Sequence, residues 1–207
     1  MRFFLNHQLI HQVLLREVKQ PNVDEMWFNV NGGLVRFSIE EFCLIIGLQC
    51  FGEEKRSKYD EMYYMIKHEI LRHLPTVLNS YVYDIFLHKS QLSHQDVVKF
   101  RILLLLTNLF FTTAYKRSME ESLMVIVYSK DMNSYAWDKE LFKFTLSLLK
   151  SGLRNKTLIV EGDGRPYITY RLNGFLIAFQ VWIYETLPVL DGKICTKISH
   201  RCLRILN

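Results

Sequence analysis

Seven histidines and four cysteines are the residues of this chain that could bind a transition metal. His7 and His11 stand four positions apart, which would place both imidazoles on one helix face, as in many zinc sites. No third ligand lies beside them, so we interpret the pair as part of a polar helix face. The cysteines lack the spacing of about two to four residues that zinc knuckles use. They occur as Cys43 with Cys50, and as Cys195 with Cys202 around His200. We therefore predict no metal site and no cofactor, and we interpret the cysteines as small hydrophobic core residues.

Catalytic chemistry has equally little support. A cysteine protease needs a thiolate beside a histidine that a third group orients, and no motif selects Cys43 or Cys195 as such a nucleophile. Gly162 and Gly164 mark a turn, but the third glycine of a dinucleotide fingerprint is missing. Three pairs of glutamates are adjacent in sequence, so their side chains diverge instead of converging on a substrate. These pairs are Glu40 and Glu41, Glu53 and Glu54, and Glu120 and Glu121. We predict that the chain is not an enzyme, and a cysteine peptidase-related activity is the weakest alternative.

The C-terminal end carries a concentration of positive charge. An apolar stripe at helical spacing is formed by Ile194, Ile198, Cys202 and Ile205. Basic residues gather on the opposite side of this helix: Lys193, Lys197, His200, Arg201 and Arg204. Four formal charges would neutralise only about four phosphates, which predicts weak, salt-sensitive and sequence-independent nucleic-acid binding. A solvated helix face is the other interpretation.

Composition limits the fold and the compartment. The chain has 207 residues, a net charge of +5, 49% hydrophobic and 14% aromatic residues, so it is too apolar for disorder and long enough to bury a core. Only 9 glycines and 4 prolines are present, which disfavours many-stranded β folds with their frequent tight turns. Four cysteines are too few for a disulfide scaffold, so we expect a reducing compartment. The N-terminus lacks the apolar run of a signal peptide, and the longest apolar stretch, residues 102–114, is shorter than the roughly 20 residues that span a bilayer. We therefore expect neither secretion nor a membrane partner, and we interpret residues 102–114 as a buried helix.

The first fifty residues contain the clearest local signals. Apolar residues at three- and four-residue spacing predict a helix over residues 5–18. Alternating residues on either side of the Asn31-Gly32-Gly33 turn then predict a β-hairpin over residues 26–37. Ser38 and Glu41 match a capping box, which predicts a short helix to residue 46 with Gly47 as its left-handed C-cap.

Later segments are mostly helical in pattern. Residues 53–60 are highly charged and indicate a loop. Helices are predicted near 62–74, from Ser93 to about 114, over 137–149, and over 175–187 with Asn173 as its cap. Segments 78–87 and 123–128 fit a strand or a helix equally well, and 167–170 is a brief strand candidate. The predicted fold class is mainly α: a multi-helix single domain with one N-terminal β-hairpin.

Several of these residues resemble the signature of a plant domain of unknown function, number 1985. The similar stretches are residues 9–16, Glu25-Met-Trp-Phe28 with Gly32-Gly33, residues 36–48 from Arg36-Phe37-Ser38 to Ile46-Gly47-Leu48, and residues 170–175 with 180–185. The chain departs from the family pattern at Ile46, where threonine is usual. It departs again at Ala136 and Asp138, which replace the proline and the glycine of the family's Tyr-Pro-Trp-Gly core. The resemblance covers about residues 4–190 and implies one globular helical domain over 4–190, followed by a basic extension over 191–207.

This resemblance implies a nuclear, transposon-derived plant protein in which the domain accompanies a SUMO-protease-like catalytic domain that is absent here. It assigns no catalytic residue. The signature residues, which we interpret as structural, are Arg16, Trp27, Phe28, Arg36, Phe37, Glu41, Phe42, Gly47, Leu48, Asp131, Trp137, Gly174, Trp182 and Glu185. Our leading hypothesis is a non-enzymatic interaction or targeting module for a protein partner or an adjacent protease domain. The hairpin surface around Trp27 and residues 36–48 are its candidate contacts, and a role of these residues in the core is the alternative.

Overall fold

The computed structural model describes residues 5–47, 50, 52, 82–84, 87, 93–111, 121–152, 157–160, 166–169 and 172–194. Most of the elements in these ranges are helical, and two small antiparallel sheets accompany them. This confirms the mainly α fold class. The chain divides into two compact units, one made of Met1–Cys50 and Trp137–Asn207 and the other of Phe51–Ala136. The predicted domain bounds of 4–190 and 191–207 stay a prediction.

The N-terminal helix is shorter than its pattern predicts. Helix α1 spans His7–Leu14, and the side chain of Asn6 caps it by accepting the Leu9 amide at 3.0 Å. The predicted continuation to residue 18 is wrong, because Glu17–Val18 form strand β1 instead. These two residues pair with the edge of strand β2, Met26–Val30, and satisfy its outer backbone groups. Tertiary pairing thus overrides a local helical period.

The hairpin and the capped helix follow as predicted. Strands β2 and β3, Gly33–Phe37, are joined by a two-residue turn in which Asn31 and Gly32 both have positive φ, the geometry that matches the twist of the strands. Helix α2, Ile39–Ile46, begins with the Ser38 capping box and ends at Gly47, whose φ is 80°. The sequence predicts the turn, the capping box and the C-cap correctly because each of them needs only residues that are close together along the chain.

The core of the first unit is a cluster of aromatic rings. It joins β2, β3 and α2 to two later helices, α5 (Trp137–Gly152) and α6 (Leu176–Thr186). Phe37 is fully buried at its centre, with ring centroids of its neighbours between 4.9 and 6.2 Å away. The rings of the cluster belong to Phe28, Phe37, Phe42, Phe142, Phe179 and Trp182. These six rings therefore fix the three-stranded sheet against the helices.

The end of the chain differs from expectation in two details. Strands β4, Thr157–Val160, and β5, Pro166–Thr169, form a second antiparallel pair, where only a brief strand at 167–170 had been expected. Asn173 does not cap α6. The N-cap is Phe175, whose amide donates to the buried Thr145 hydroxyl at 3.0 Å. Gly174 has φ of +101° and lies so close to Thr145 that a Cβ would approach its Cα to 3.1 Å. This packing, and not a side-chain cap, sets the start of the helix.

The described part of the second unit is mainly helical. Ser93 caps helix α3, His94–Leu105, as predicted, and a π-helical turn at Leu106–Phe110 continues it. The interpretation of residues 102–114 as a buried helix holds for Leu103, Leu106 and Phe110, whereas Leu105 and Leu109 are exposed. Residues 112–114 lie outside the described residues. Helix α4 is Glu121–Tyr128, which resolves the ambiguous segment 123–128 as helix. A short 3-10 turn, Lys130–Asn133, follows. In the described part of the chain, no helix combines the length and the apolar composition that crossing a membrane requires.

Candidate functional site

Two cysteine sulfurs and a buried carboxylate meet in the first unit. The structure joins Cys43 and Cys50 by a disulfide, with their Cα atoms 6.0 Å apart. The Cys50 sulfur also lies 3.4 Å from Oδ2 of Asp138. The sulfur and carboxylate atoms of all three residues lie within 4.8 Å of one another. We call this group the sulfur-carboxylate cluster.

Helix α2 and helix α5 position the cluster. Cys43 lies in the last turn of α2, and the left-handed Gly47 ends that helix so that the chain can bring Cys50 back towards it. Asp138 is the second residue of α5, which packs against α2. The cluster therefore lies where the end of one helix meets the start of another, and a negative charge is favoured at the start of a helix.

Asp138 is buried without full compensation. Its relative exposure is 0%, and within the described part of the chain its Oδ1 has no hydrogen-bond partner. Burial raises the pKa of Asp138 to about 7, because the charged form loses its hydration. A buried carboxylate oxygen that lacks a donor is uncommon in folded proteins, so this group marks a place that needs a proton or a cation.

The interpretation of Cys43 and Cys50 as ordinary core residues is wrong. Both are half-buried, and their sulfurs face each other and Asp138. Sequence reasoning missed Asp138, which is 88 positions from Cys50 and has no local motif. The one signal was its departure from the resembled pattern, where glycine is usual. Residues Cys195 and Cys202 lie outside the described residues.

A second candidate surface is the outward face of the three-stranded sheet. Val18, Trp27 and Arg36 are direct cross-strand partners, so their side chains form one row on the same face. Asn29 and Leu34 form the next row. Leu34 is 57% exposed, and Trp27 is half-buried. We call these five residues the sheet face.

Charged groups fix one side of the sheet face. The Arg36 guanidinium contacts Glu40 and donates to Glu41 Oε1 at 2.9 Å, and the Trp27 indole donates to Glu25 at 2.8 Å. Partial burial acts to raise the pKa of Glu41, but hydrogen bonds from Ser38 and Arg36 outweigh it, so the pKa lies below its usual value. Hydrogen bonds to Glu41 and to Glu40, together with the charges of these two carboxylates, hold the pKa of Arg36 above its usual value. The capping box thus also orients the cation beside Trp27.

The signature residues occupy different places in the structure. Phe28, Phe37, Phe42 and Trp182 belong to the aromatic core. Arg36 lies on β3, and Glu41 and Gly47 cap the start and the end of α2. Gly174 allows the close approach to Thr145 described above. Arg16 contacts Gln12. Trp137, Glu185 and Asp131 are half-buried, and Leu48 lies outside the described residues. The sheet face itself contains Trp27 and Arg36.

The predicted nucleic-acid surface is largely outside the described residues. Lys193 is exposed just after a 3-10 turn, and Lys197, His200, Arg201 and Arg204 belong to the part that the structure does not describe. His7 is exposed on α1 and His11 is half-buried there. Neither histidine joins a group of three possible metal ligands among the described residues.

Comparison with known proteins supports the resembled family over residues 14–148 of the 4–190 that the sequence suggests. The model of the family "Domain of unknown function (DUF1985)" matches residues 14–148. Among curated proteins and among solved structures, no match to the chain is found. The match covers the last residue of α1, the three-stranded sheet, α2, α3, α4 and most of α5. It includes all three residues of the sulfur-carboxylate cluster and all five of the sheet face.

Proposed function

The chain belongs to the family of the DUF1985 domain, and we propose that it is a non-enzymatic interaction module that contacts a protein partner through its sheet face. The observation that carries this proposal is the row of Val18, Trp27 and Arg36 beside the exposed Leu34. An indole, a fixed guanidinium and an exposed aliphatic side chain lie together on a regular sheet. The rings of Phe28, Phe37, Phe42, Phe142, Phe179 and Trp182, in contrast, belong to the core of the first unit.

The energetics of such a surface favour a protein partner. Trp and Arg are enriched among the residues that carry most of the binding energy at protein interfaces, particularly where a pocket excludes water around them. Arg36 is already held by Glu40 and Glu41, so binding would cost little side-chain entropy at this position. Leu34 would gain from burial, because each additional Å² of apolar surface removed from water contributes about 25 cal/mol.

The finer identity of the partner follows from the resemblance. We propose that the domain serves a SUMO-protease-like catalytic domain, in the same chain or in a separate one, in a nuclear plant protein of transposon origin. This part is supported by the signature residues alone. It is separable from the interaction role of the sheet face, because another protein could occupy the same surface.

Site-specific photo-cross-linking tests the interaction role. A photoreactive phenylalanine analogue replaces Asn29, which faces outward beside Leu34, and the full chain is exposed to nuclear extract. A discrete cross-linked product is expected. The L34S substitution should reduce its yield about tenfold or more, because truncating a central interface residue costs about 2 kcal/mol. The matched control is V189S, which changes an exposed apolar residue that is 49% exposed and lies after α6.

The outcome is decided by the pair of variants. If L34S leaves the product unchanged, or if V189S reduces it equally, the sheet face is not the contact surface. A purified SUMO-protease catalytic domain added in trans tests the finer proposal, and the expected result is saturable binding that L34S weakens. Absence of binding to that domain would remove the proposed partner and leave the cross-linking result to judge the surface.

A further inference from the structure

We propose that, with its cysteines reduced, the sulfur-carboxylate cluster binds one divalent ion of the zinc class through Cys43, Cys50 and Asp138. This site is independent of the sheet face. It rests on the atoms that these residues bring together and on the buried oxygen of Asp138 that has no partner among the described residues.

The distances suit a tetrahedral ion. Zinc bonds to thiolate sulfur at about 2.3 Å and to carboxylate oxygen at about 2.0 to 2.2 Å, so two such ligands on one tetrahedral ion lie about 3.5 Å apart. The sulfur of Cys50 and Oδ2 of Asp138 are 3.4 Å apart. With Cα atoms 6.0 Å apart, the two reduced cysteine side chains can place their sulfurs around one ion by rotation about χ1.

The charges point to a cation. Two thiolates and one carboxylate would carry three negative charges in a half-buried place, and a divalent ion leaves a net charge of −1. The ion would also bond to a carboxylate that now has an oxygen without a donor. Thiolate ligands select zinc-class ions over calcium or magnesium, which prefer oxygen ligands. A water molecule can supply the fourth ligand, because Cys43 and Cys50 are half-buried and not enclosed.

Binding and the disulfide exclude each other. The ion needs both sulfurs as thiolates, so each cysteine thiol loses one proton when the ion binds, and an Asp138 that is protonated loses a third. In the disulfide neither sulfur carries a thiolate charge. Diamide oxidises the dithiol to the disulfide and takes up its two electrons and two protons. We therefore expect oxidation with diamide to abolish the affinity for the ion.

Cobalt binding tests the site directly. The full chain with C195S and C202S, which leaves one cysteine pair, is reduced, freed of reductant under anaerobic conditions and titrated with Co²⁺. We expect one ion per chain, thiolate-to-cobalt charge-transfer absorption, and displacement by Zn²⁺. Bound Zn²⁺ should also protect both thiols from a thiol reagent. Affinity should fall about tenfold or more in D138N and further in C43S or C50S, because second-shell changes alone cost 10- to 100-fold.

Two controls make the result decisive. E140Q removes another carboxylate from the first turn of α5 and should leave Co²⁺ affinity unchanged. Circular dichroism of each variant shows whether it folds, and D138N replaces the carboxylate with a neutral group of the same size. Folded protein without the charge-transfer band, or with equal affinity in D138N and its parent, would overturn the proposal. If D138N does not fold, thiol protection by Zn²⁺ in E140Q and its parent still decides, since its absence refutes the site.

Discussion

Removing the ring at the centre of the aromatic core should be among the most damaging single changes in the first unit. Phe37 is fully buried and its ring lies near those of Phe42, Phe142, Phe179 and Trp182. A buried aromatic side chain removes about 150 Å² or more from water, which corresponds to about 4 kcal/mol at about 25 cal/mol per Å². Measured Phe→Ala substitutions in cores cost about 3–5 kcal/mol. We therefore expect F37A to lower the free energy of unfolding by about 4 kcal/mol.

Urea denaturation followed by far-ultraviolet circular dichroism measures this change. The matched control is L34A, three positions earlier on the same strand but 57% exposed, and its effect should stay within about 0.5 kcal/mol. A loss below about 1.5 kcal/mol in F37A would refute the reasoning, because it would mean that Phe37 is not packed among four rings. An equal loss in L34A would show that the two faces of the sheet have been assigned incorrectly.

Three further predictions follow from the ends of α2 and of the chain. The folded-state pKa of Glu41 is lowered, so its contribution to the free energy of unfolding is complete above its unfolded-state pKa of about 4.5 and is lost as the pH falls through the folded value. The stability gap between the parent protein and E41Q in urea should therefore narrow on acidification, and a constant gap would contradict this. G47A should destabilise the protein by about 1–2 kcal/mol, because alanine is strained at a φ of 80°, and an unchanged melting temperature would refute this role. If the basic end binds duplex DNA, its affinity should fall with rising salt concentration with a slope that corresponds to about four phosphate contacts. The affinity should vanish when four basic residues are neutralised. DNA binding that persists after either change excludes this surface. The four basic residues are Lys193, Lys197, Arg201 and Arg204.

Features that depend on a few adjacent residues could be read from the sequence. The Asn31-Gly32 turn, the Ser38 capping box and the Gly47 cap each need particular residue types within three or four positions, and all three are present in the structure. Ser93 at the start of α3 is another example. Such signals hold because the hydrogen bonds that they predict are formed inside the element itself.

Features that depend on residues far apart along the chain could not be read from the sequence. Glu17 and Val18 form a strand only because the edge of β2 is there to pair with them, and their own spacing indicates a helix. Segment 123–128 is apolar throughout, so its period fits a strand as well as a helix, and packing against α3 accompanies the helical outcome. The start of α6 likewise depends on Thr145, which belongs to another helix, so the residues around Asn173 could not predict it.

Asp138 shows the same limit at the level of chemistry. The spacing of Cys43 and Cys50 alone does not define a metal site, and the third group comes from a helix that lies far along the chain. Its position is fixed by the packing of α2 on α5, which the aromatic core determines. No local motif of the sequence contains this ligand set, because packing alone places the carboxylate beside the sulfurs.

Helix α2 connects the two candidate sites and so decides which substitutions can separate them. Glu40 and Glu41 in its first turn hold Arg36 of the sheet face, and its last turn carries Cys43. A change within α2 that weakens both partner capture and cobalt binding would therefore be uninformative. Leu34 and Asp138 lie outside α2, on β3 and α5. L34S should affect only capture and D138N only metal affinity, and loss of both properties in either variant would mean that the two surfaces are not independent.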